Sequence, residues 1–213
     1  MSAKPKLTMN QDQKNIMSSS SLFSSKSSEL SGEIIIPGDK SISHRCIILS
    51  SLAIGESKIT GLLKSSDVNC TINSMESLGS CIDFNSSNEC FINGIGIGSL
   101  RQPKAPLDFG NSGTAARLIL GLVSTHPIET RFIGDDSLSQ RPMRRVTDPL
   151  VDFGANFNLR NSEFLPIEVK GAEYPIPITH EMKVASAQVK SAIMFAGLNL
   201  SLIHISEPTR LRH

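Results

Sequence analysis

The pattern of residues 41–61, SISHRCIILSSLAIGESKITG, returns in residues 112–134 as SGTAARLILGLVSTHPIETRFIG. Arg45 falls on Arg117 at a spacing of 72 residues, and each arginine opens an apolar helical run, a turn and a β-rich stretch closing on Gly61 or Gly134. Both copies continue with a polar helical segment, SSDVNCTINSMESLG or LSQRPMRRVTDPLVDFG, and close on a strand, SCIDF or ANFNL. A third copy starts at SAQVKSAIMFAGL, where Lys190 stands 73 residues beyond Arg117. Such self-similarity restricts the fold to stacked quasi-equivalent units. Each unit reads β-α-β-α-β-β, so the expected class is α/β (α+β), with units over 39–110, 111–183 and an incomplete 184–199.

The first helix of each unit opens on small polar residues: Ser41 and Ser43, then Asn111, Ser112, Gly113 and Thr114, then Ser186. Its remainder is apolar on nearly every side, the mark of a buried helix. A helix N-terminus carries free N–H donors and the positive end of the macrodipole. Units packed around a shared axis would bring these starts together, with Lys40, Arg45, Arg117 and Lys190 beside them. That is an anion site for phosphate or carboxylate. At any one position the plainer alternative, an N-cap or a surface arginine, is equally good. A cation at the same offset in three copies favours the anion site.

The net charge of +1 supplies no global field toward nucleic acid or an anionic membrane, so basic sites must be local. No apolar run approaches the roughly 20 residues that span a bilayer. Residues 1–30 are polar and Ser-rich without the apolar core of a signal peptide, and read as a flexible tail; a plastid-type transit peptide is disfavoured because Arg is absent there. Cys46, Cys70, Cys81 and Cys90 form no CxxC pair and have no His at ligand spacing. They read as reduced, buried thiols of a cytosolic protein rather than as a disulfide framework. PGDKS lacks the glycine spacing of a P-loop, and GIGIG at 94–98 reads as a turn rather than a dinucleotide fingerprint. No HExxH, Cys/His cluster or G-x-S-x-G elbow is present, and one Tyr with no Trp offers little for stacking bases.

IPGDKSISHR, DFGNSGTAARL, GDDSLSQRPMRRVTDPL and VASAQVKSAIMFAGLN, in this order and spacing, resemble the EPSP synthase family of enolpyruvyl transferases. The resemblance runs from Ser31 to Asn199. It implies transfer of the enolpyruvyl group of phosphoenolpyruvate to the 5-hydroxyl of shikimate 3-phosphate, releasing phosphate, in chorismate and aromatic amino acid biosynthesis. It implies a cytoplasmic monomer that uses no metal or cofactor and binds neither nucleic acid nor membrane. By the same resemblance Lys40 touches both substrates, Ser41 and Arg45 hold shikimate 3-phosphate, and Gly113 is the glycine against which phosphoenolpyruvate packs. Arg141 clamps the phosphoenolpyruvate anion, a task suited to a planar fork. Ser186 binds phosphate and Gln188 contacts both ligands. Asn111, Thr114 and Arg117 are further candidates. Ala187 stands where many relatives have a second serine, and Arg144 and Arg145 read as solvated or as supports behind the residues that touch substrate. Asp39, Asp135 and Asp136 read as turn or cap residues.

The family's fold has two lobes of three repeats, an inverse α/β barrel-like arrangement with the substrates between the lobes. Residues 31–38 are then a strand of the far lobe and 39–199 an incomplete near lobe. No catalytic acid or base is assignable, because those residues lie beyond Asn199 in the family's order. Residues 200–213 break the pattern, and LSLIHISEPTR looks like one reading frame of a transposon adaptor used in library preparation, a cloning scar. The chain alone is therefore expected to be marginally stable and without turnover. Two alternatives stay open. One is a UDP-N-acetylglucosamine enolpyruvyl transferase, disfavoured by Ser41 after Lys40 and by the lack of a comparable reactive Cys. The other is a non-catalytic anion-binding module.

Overall fold

The computed structural model describes residues 24–26, 31–182 and 185–200. The chain divides into two compact units, Met1–Ile36 and Pro37–His213. In the first, the described residues carry no helix or strand, and Ile34, Ile35 and Ile36 are exposed. The strand expected over 31–38 has no ladder partner among the described residues. Most of the Ser-rich stretch and residues 201–213 lie outside the described residues.

The second unit holds the repeats. The first contains α1 (Lys40–Leu52), β1 (Ile54–Ile59), α2 (Ser66–Ser77), β2 (Cys81–Phe84) and β3 (Cys90–Ile95). The second contains β4 (Leu107–Asp108), α3 (Gly113–Val123), β5 (Glu129–Ile133), a 3-10 turn (Leu138–Gln140), α4 (Arg144–Val151), β6 (Asn156–Arg160) and β7 (Phe164–Lys170). Helix α5 (Ala187–Leu198) opens the third. The sheets are open and ordered alike, β1-β3-β2 and β4-β5-β7-β6, with every pairing antiparallel except β4 with β5. This is the repeated α/β architecture of one lobe.

Period-2 alternation turns one face of each sheet to the core. Ile82 opposite Ile92, and Phe132 opposite Ile167, are buried cross-strand pairs. Phe109, just after β4, stacks on Phe132 with ring centroids 4.8 Å apart. A glycine lets each helix end seat on its own sheet. A Cβ on Gly94 would run into the carbonyls of Ser50 and Ala53 at the end of α1, and one on Gly171 into those of Val123 and His126 beyond α3. The repeat seen in the sequence is thus also a repeat of packing devices.

Three expectations change. Helix α3 alone is buried almost all round, because α1, α2, α4 and α5 all touch it. Helices α1 and α5 leave Ile42 and Leu49, and Met194 and Leu198, exposed. The polar helix expected through LSQRPMRRVTDPLVDFG is broken into the 3-10 turn and α4. Pro142 is the reason, since its ring drives the preceding residue out of the α region, and Arg141 adopts φ −89°, ψ 128°. The four cysteines are unpaired, but only Cys90 is buried; the alternation of β2 turns Ile82 inward and Cys81 outward. No described helix is long and apolar enough to cross a membrane.

Candidate functional site

The starts of α1, α3 and α5 are each capped by a side chain from the polar residues singled out in the sequence. Asp39 Oδ1 accepts from Ile42 N at 2.8 Å, Ser112 Oγ from Ala115 N at 3.3 Å, and Ser186 Oγ from Val189 N at 3.4 Å. Asp39 is therefore a cap, as the turn reading required. Ser43 is drawn inward: its hydroxyl donates to Asp39 O at 2.7 Å and accepts from Leu63 N at 3.0 Å. It braces the first turn of α1 and is spent as an anion donor. Ser41 stays exposed.

Side-chain hydrogen bonds then join the three helices. Arg45 Nη2 donates to Ser191 Oγ at 2.7 Å and its Nη1 to Ser41 O at 2.9 Å, linking α1 to α5. Arg117 Nη1 donates to Gln188 Oε1 at 3.1 Å, and Gln188 Nε2 donates to Thr114 Oγ1 at 3.0 Å, linking α3 to α5. Arg45 and Arg117, equivalent in the repeat, are thus held by α5 residues one turn apart. Lys190 lies exposed between these partners. Counted from its cap Ser186, Ser191 stands where Arg117 stands from Ser112, so the structural equivalent of Arg117 on α5 is a serine. The sequence reading missed Ser191; counting from the caps of α3 and α5 finds it, whereas Arg45 stands one residue further from its own cap, Asp39.

Arg141 enters from the segment before α4. Its Nη2 donates to Asn111 Oδ1 at 2.6 Å and to Ser137 Oγ at 3.1 Å. Gly113 lies between the two guanidinium groups: a Cβ there would stand 2.8 Å from Arg117 Nη1 and 3.5 Å from Arg141 Nη1. Arg117 Nη2 also donates to Pro142 O at 3.1 Å. Burial, then the nearby charges of Arg141 and Arg145, press the Arg117 pKa down. The bare site is thus rich in uncompensated positive charge. Lys40, at the start of α1, is half exposed and pairs with Asp67 on α2 at 2.9 Å. Arg144 pairs with Asp148 within α4, away from this cluster. Among the described residues no group of three or more His, Cys, Asp and Glu side chains is placed to hold a metal ion.

An arrangement of two arginines over a helix start, walled by a glycine and with a lysine and a third arginine on the neighbouring helix, can hold a compact polyanion. It offers planar bidentate donors, and the carboxylates of Asp67 and Asp135 beside it are both engaged.

The chain matches the family model described as EPSP synthase (3-phosphoshikimate 1-carboxyvinyltransferase) over residues 24–210, extending past both Ser31 and Asn199. It is 51% identical over 182 residues to the 3-phosphoshikimate 1-carboxyvinyltransferase of Parvibaculum lavamentivorans, covering 85% of this chain and 40% of the relative. It is 49% identical over 192 residues to the protein of the same name from Zymomonas mobilis, covering 90% and 42%. A solved structure of EPSP synthase from Acinetobacter baumannii superposes with a TM-score of 0.74 at 36% identity, covering 78% of this chain and 38% of that one. The chain spans about two fifths of the length of the curated relatives it matches.

Proposed function

Because this chain belongs to the EPSP synthase family, we propose that it forms the substrate-binding part of an enzyme transferring the enolpyruvyl group from phosphoenolpyruvate to the 5-hydroxyl of shikimate 3-phosphate. The observation that carries this reading is the pair Arg117 and Arg141 converging over Gly113, neither of them in a salt bridge among the described residues. Phosphoenolpyruvate, a small molecule with a phosphate and a carboxylate, suits two guanidinium forks separated by a bare backbone. Shikimate 3-phosphate suits the neighbouring starts of α1 and α5, with Ser41, Arg45 and Ser186 as its contacts and Lys40 and Gln188 shared by both substrates. Both partners are small polyanions, and the reading includes a cytoplasmic monomer that needs no cofactor.

The chemistry is addition followed by elimination. A proton added to the methylene carbon leaves an electrophilic centre at the adjacent carbon, and the sugar hydroxyl oxygen bonds there while losing its proton. Collapse of the tetrahedral intermediate breaks the carbon–oxygen bond to phosphate and regenerates the vinyl group. Lys40, Arg117 and Arg141 hold the phosphate and carboxylate charge through these steps, already oriented by their hydrogen bonds. In the family's order of motifs the proton donor and acceptor are expected beyond Asn199. The chain alone therefore binds and does not turn over.

Calorimetric titration of the 213-residue chain with each substrate tests this. Both should bind, and no enolpyruvylshikimate phosphate should form. Gly113→Ala should weaken phosphoenolpyruvate binding about tenfold, because the new methyl group displaces Arg117 Nη1 from its seat between Gly113 O and Gln188. Shikimate 3-phosphate affinity should stay within about twofold. Equal affinities for phosphoenolpyruvate in the two proteins would remove Gly113 from that pocket, and turnover by the chain would overturn its restriction to binding.

A further inference from the structure

Arg141 sits on an extended segment outside any helix, and an exposed guanidinium on such a segment has many rotamers to choose from. Its orientation is nonetheless defined, and the definition traces back to a carboxylate that touches neither arginine fork. Asp135 Oδ2 accepts from Asn111 Nδ2 at 2.8 Å, and Asn111 Oδ1 accepts from Arg141 Nη2 at 2.6 Å. The second oxygen, Asp135 Oδ1, accepts from Leu138 N at 2.7 Å, and Asp135 N donates to Gly110 O at 2.8 Å. The carboxylate thus ties the 3-10 turn that follows Ser137 and leads into Arg141 to the loop that carries Asn111.

The polarity of this relay matters more than its length. A side-chain amide has one accepting end and one donating end of nearly the same shape, and nothing in its own bonding prefers one orientation. An ionised carboxylate only accepts. Beside Asp135 the amide of Asn111 must point its NH2 toward the carboxylate, which leaves its oxygen for Arg141. Were the amide turned over, its NH2 would meet the N–H donors of the guanidinium and the fork would lose its anchor. The Leu138 N–H and the Asn111 amide hold the Asp135 carboxyl below the usual carboxylate range, so it stays ionised and accepting through neutral and mildly acid pH.

We propose that Asp135 is a positioning residue for phosphoenolpyruvate recognition, setting the amide of Asn111 so that its oxygen orients the Arg141 guanidinium toward the anion site. This deepens the binding reading above and rests on it. Asp135 has no part in proton transfer here: both of its oxygens are occupied by donors of the chain itself. Its effect should fall on one substrate only. Arg45, Ser41 and Ser186, the contacts proposed for shikimate 3-phosphate, share no hydrogen bond with Asp135, Asn111 or Arg141.

The test uses the whole 213-residue chain and two variants. Asp135→Ala removes both acceptors. Asp135→Asn keeps one oxygen for the Leu138 N–H but presents donors to Asn111, so it attacks the polarity of the relay while leaving the cap in place. Should the alanine variant fail to fold, the asparagine variant carries the test. Phosphoenolpyruvate affinity should fall about tenfold in Asp135→Asn, and shikimate 3-phosphate affinity should stay within about twofold. An independent readout is the Arg141 Nη2–H resonance, from the nitrogen that Asn111 and Ser137 hold, in 15N NMR at low temperature, assigned by its disappearance in Arg141→Lys. It should be dispersed and slow to exchange in the native chain, and should move to the random-coil position in Asp135→Asn. In the double variant Asn111→Asp/Asp135→Asn the carboxylate faces Arg141 and the amide donates back to it, so the resonance should recover. Phosphoenolpyruvate affinity within twofold of native, equal weakening toward both ligands, or an unmoved Arg141 resonance would each overturn the proposal. If the native chain binds neither substrate, the functional reading fails, and the resonance, which needs no ligand, still decides the relay.

Discussion

Replacing Gly121 with alanine should destabilise the chain by about 4 kcal/mol or more. Gly121 lies in α3 where its backbone meets that of α5, and a Cβ there would stand 2.6 Å from both Ala192 C and Ala192 Cα. Those are main-chain atoms, so no rotamer change can make room. The helices must move apart, and in doing so they uncover residues that are fully buried, Ala116, Leu120 and Ala196 among them. The same contact holds α5 close enough for Gln188 to reach Arg117 and Thr114, and for Thr125 Oγ1 to donate to Ala196 O at 3.1 Å. Loss of stability should therefore come with loss of anion binding. Gly197→Ala, at the penultimate residue of α5, is the matched comparison. An added Cβ meets nothing there within 4 Å, so the change should be neutral or stabilising by up to about 1 kcal/mol. Urea unfolding followed by circular dichroism reads both. A Gly121→Ala midpoint equal to the native one would mean that α3 and α5 are not in backbone contact.

The close α3–α5 approach shows where sequence reading succeeds and where it stops. Spacing along the chain exposed the repeat because the same backbone devices recur: Gly94 and Gly171 under the helix ends, Gly61 and Gly134 after the first strands, Arg45 and Arg117 in the first helices. Strand order follows from that repetition, since β2 and β6 each return to pair with the following strand as an antiparallel hairpin. Local chemistry also placed the caps, since Asp39, Ser112 and Ser186 act on N–H groups three residues away. What joins the units is different in kind. The Arg45–Ser191 and Gln188–Thr114 bonds span 146 and 74 residues, and nothing local to Ser191 marks it as a partner. Aligning cation with cation selected Lys190, one residue short of Ser191, and a shift of one residue turns a side chain by about 100°. Pro142 was in plain view, yet its consequence, an arginine held outside the helix beside Gly113, needed Asn111 and Asp135 from another loop to become visible.

Acid should destabilise this chain before most of its carboxylates titrate. His44 is fully buried in α1. Its Nδ1 pairs with Thr71 Oγ1 at 2.6 Å, and its Nε2 has no hydrogen-bond partner among the described residues. A proton on Nε2 would be a buried donor without an acceptor. Burial is the main reason the pKa falls from 6.5 to about 4; Asp67 opposes the shift, and Lys40 and Arg45 add to it. In the unfolded chain the imidazole titrates at its ordinary value. Above pH 6.5 both states are neutral and the full stability is present. As pH falls through the interval toward 4 the unfolded chain takes up a proton that the folded chain refuses, so stability declines. A shift of this size corresponds to a loss of about 3 kcal/mol across the interval. His126, buried with Nδ1 donating to Leu122 O at 2.8 Å and Nε2 also without a partner, is shifted in the same direction and adds to the slope. Exposed Glu76, its carboxyl raised by partial burial and by Asp83, acts in the opposite sense. Asp135 and Glu89 are held low and contribute only at more acid pH. His44→Asn keeps a polar atom near Thr71 and removes the titration. Its missing volume lowers stability equally at every pH, so the slope isolates the proton. Urea midpoints at pH 7, 5.5 and 4 should fall less steeply in His44→Asn than in the native chain, by about 3 kcal/mol over the range, and His44→Asn/His126→Asn should be flatter still. Parallel curves for native and His44→Asn would mean that the imidazole finds a partner when protonated, and that α1 and α2 open to admit one.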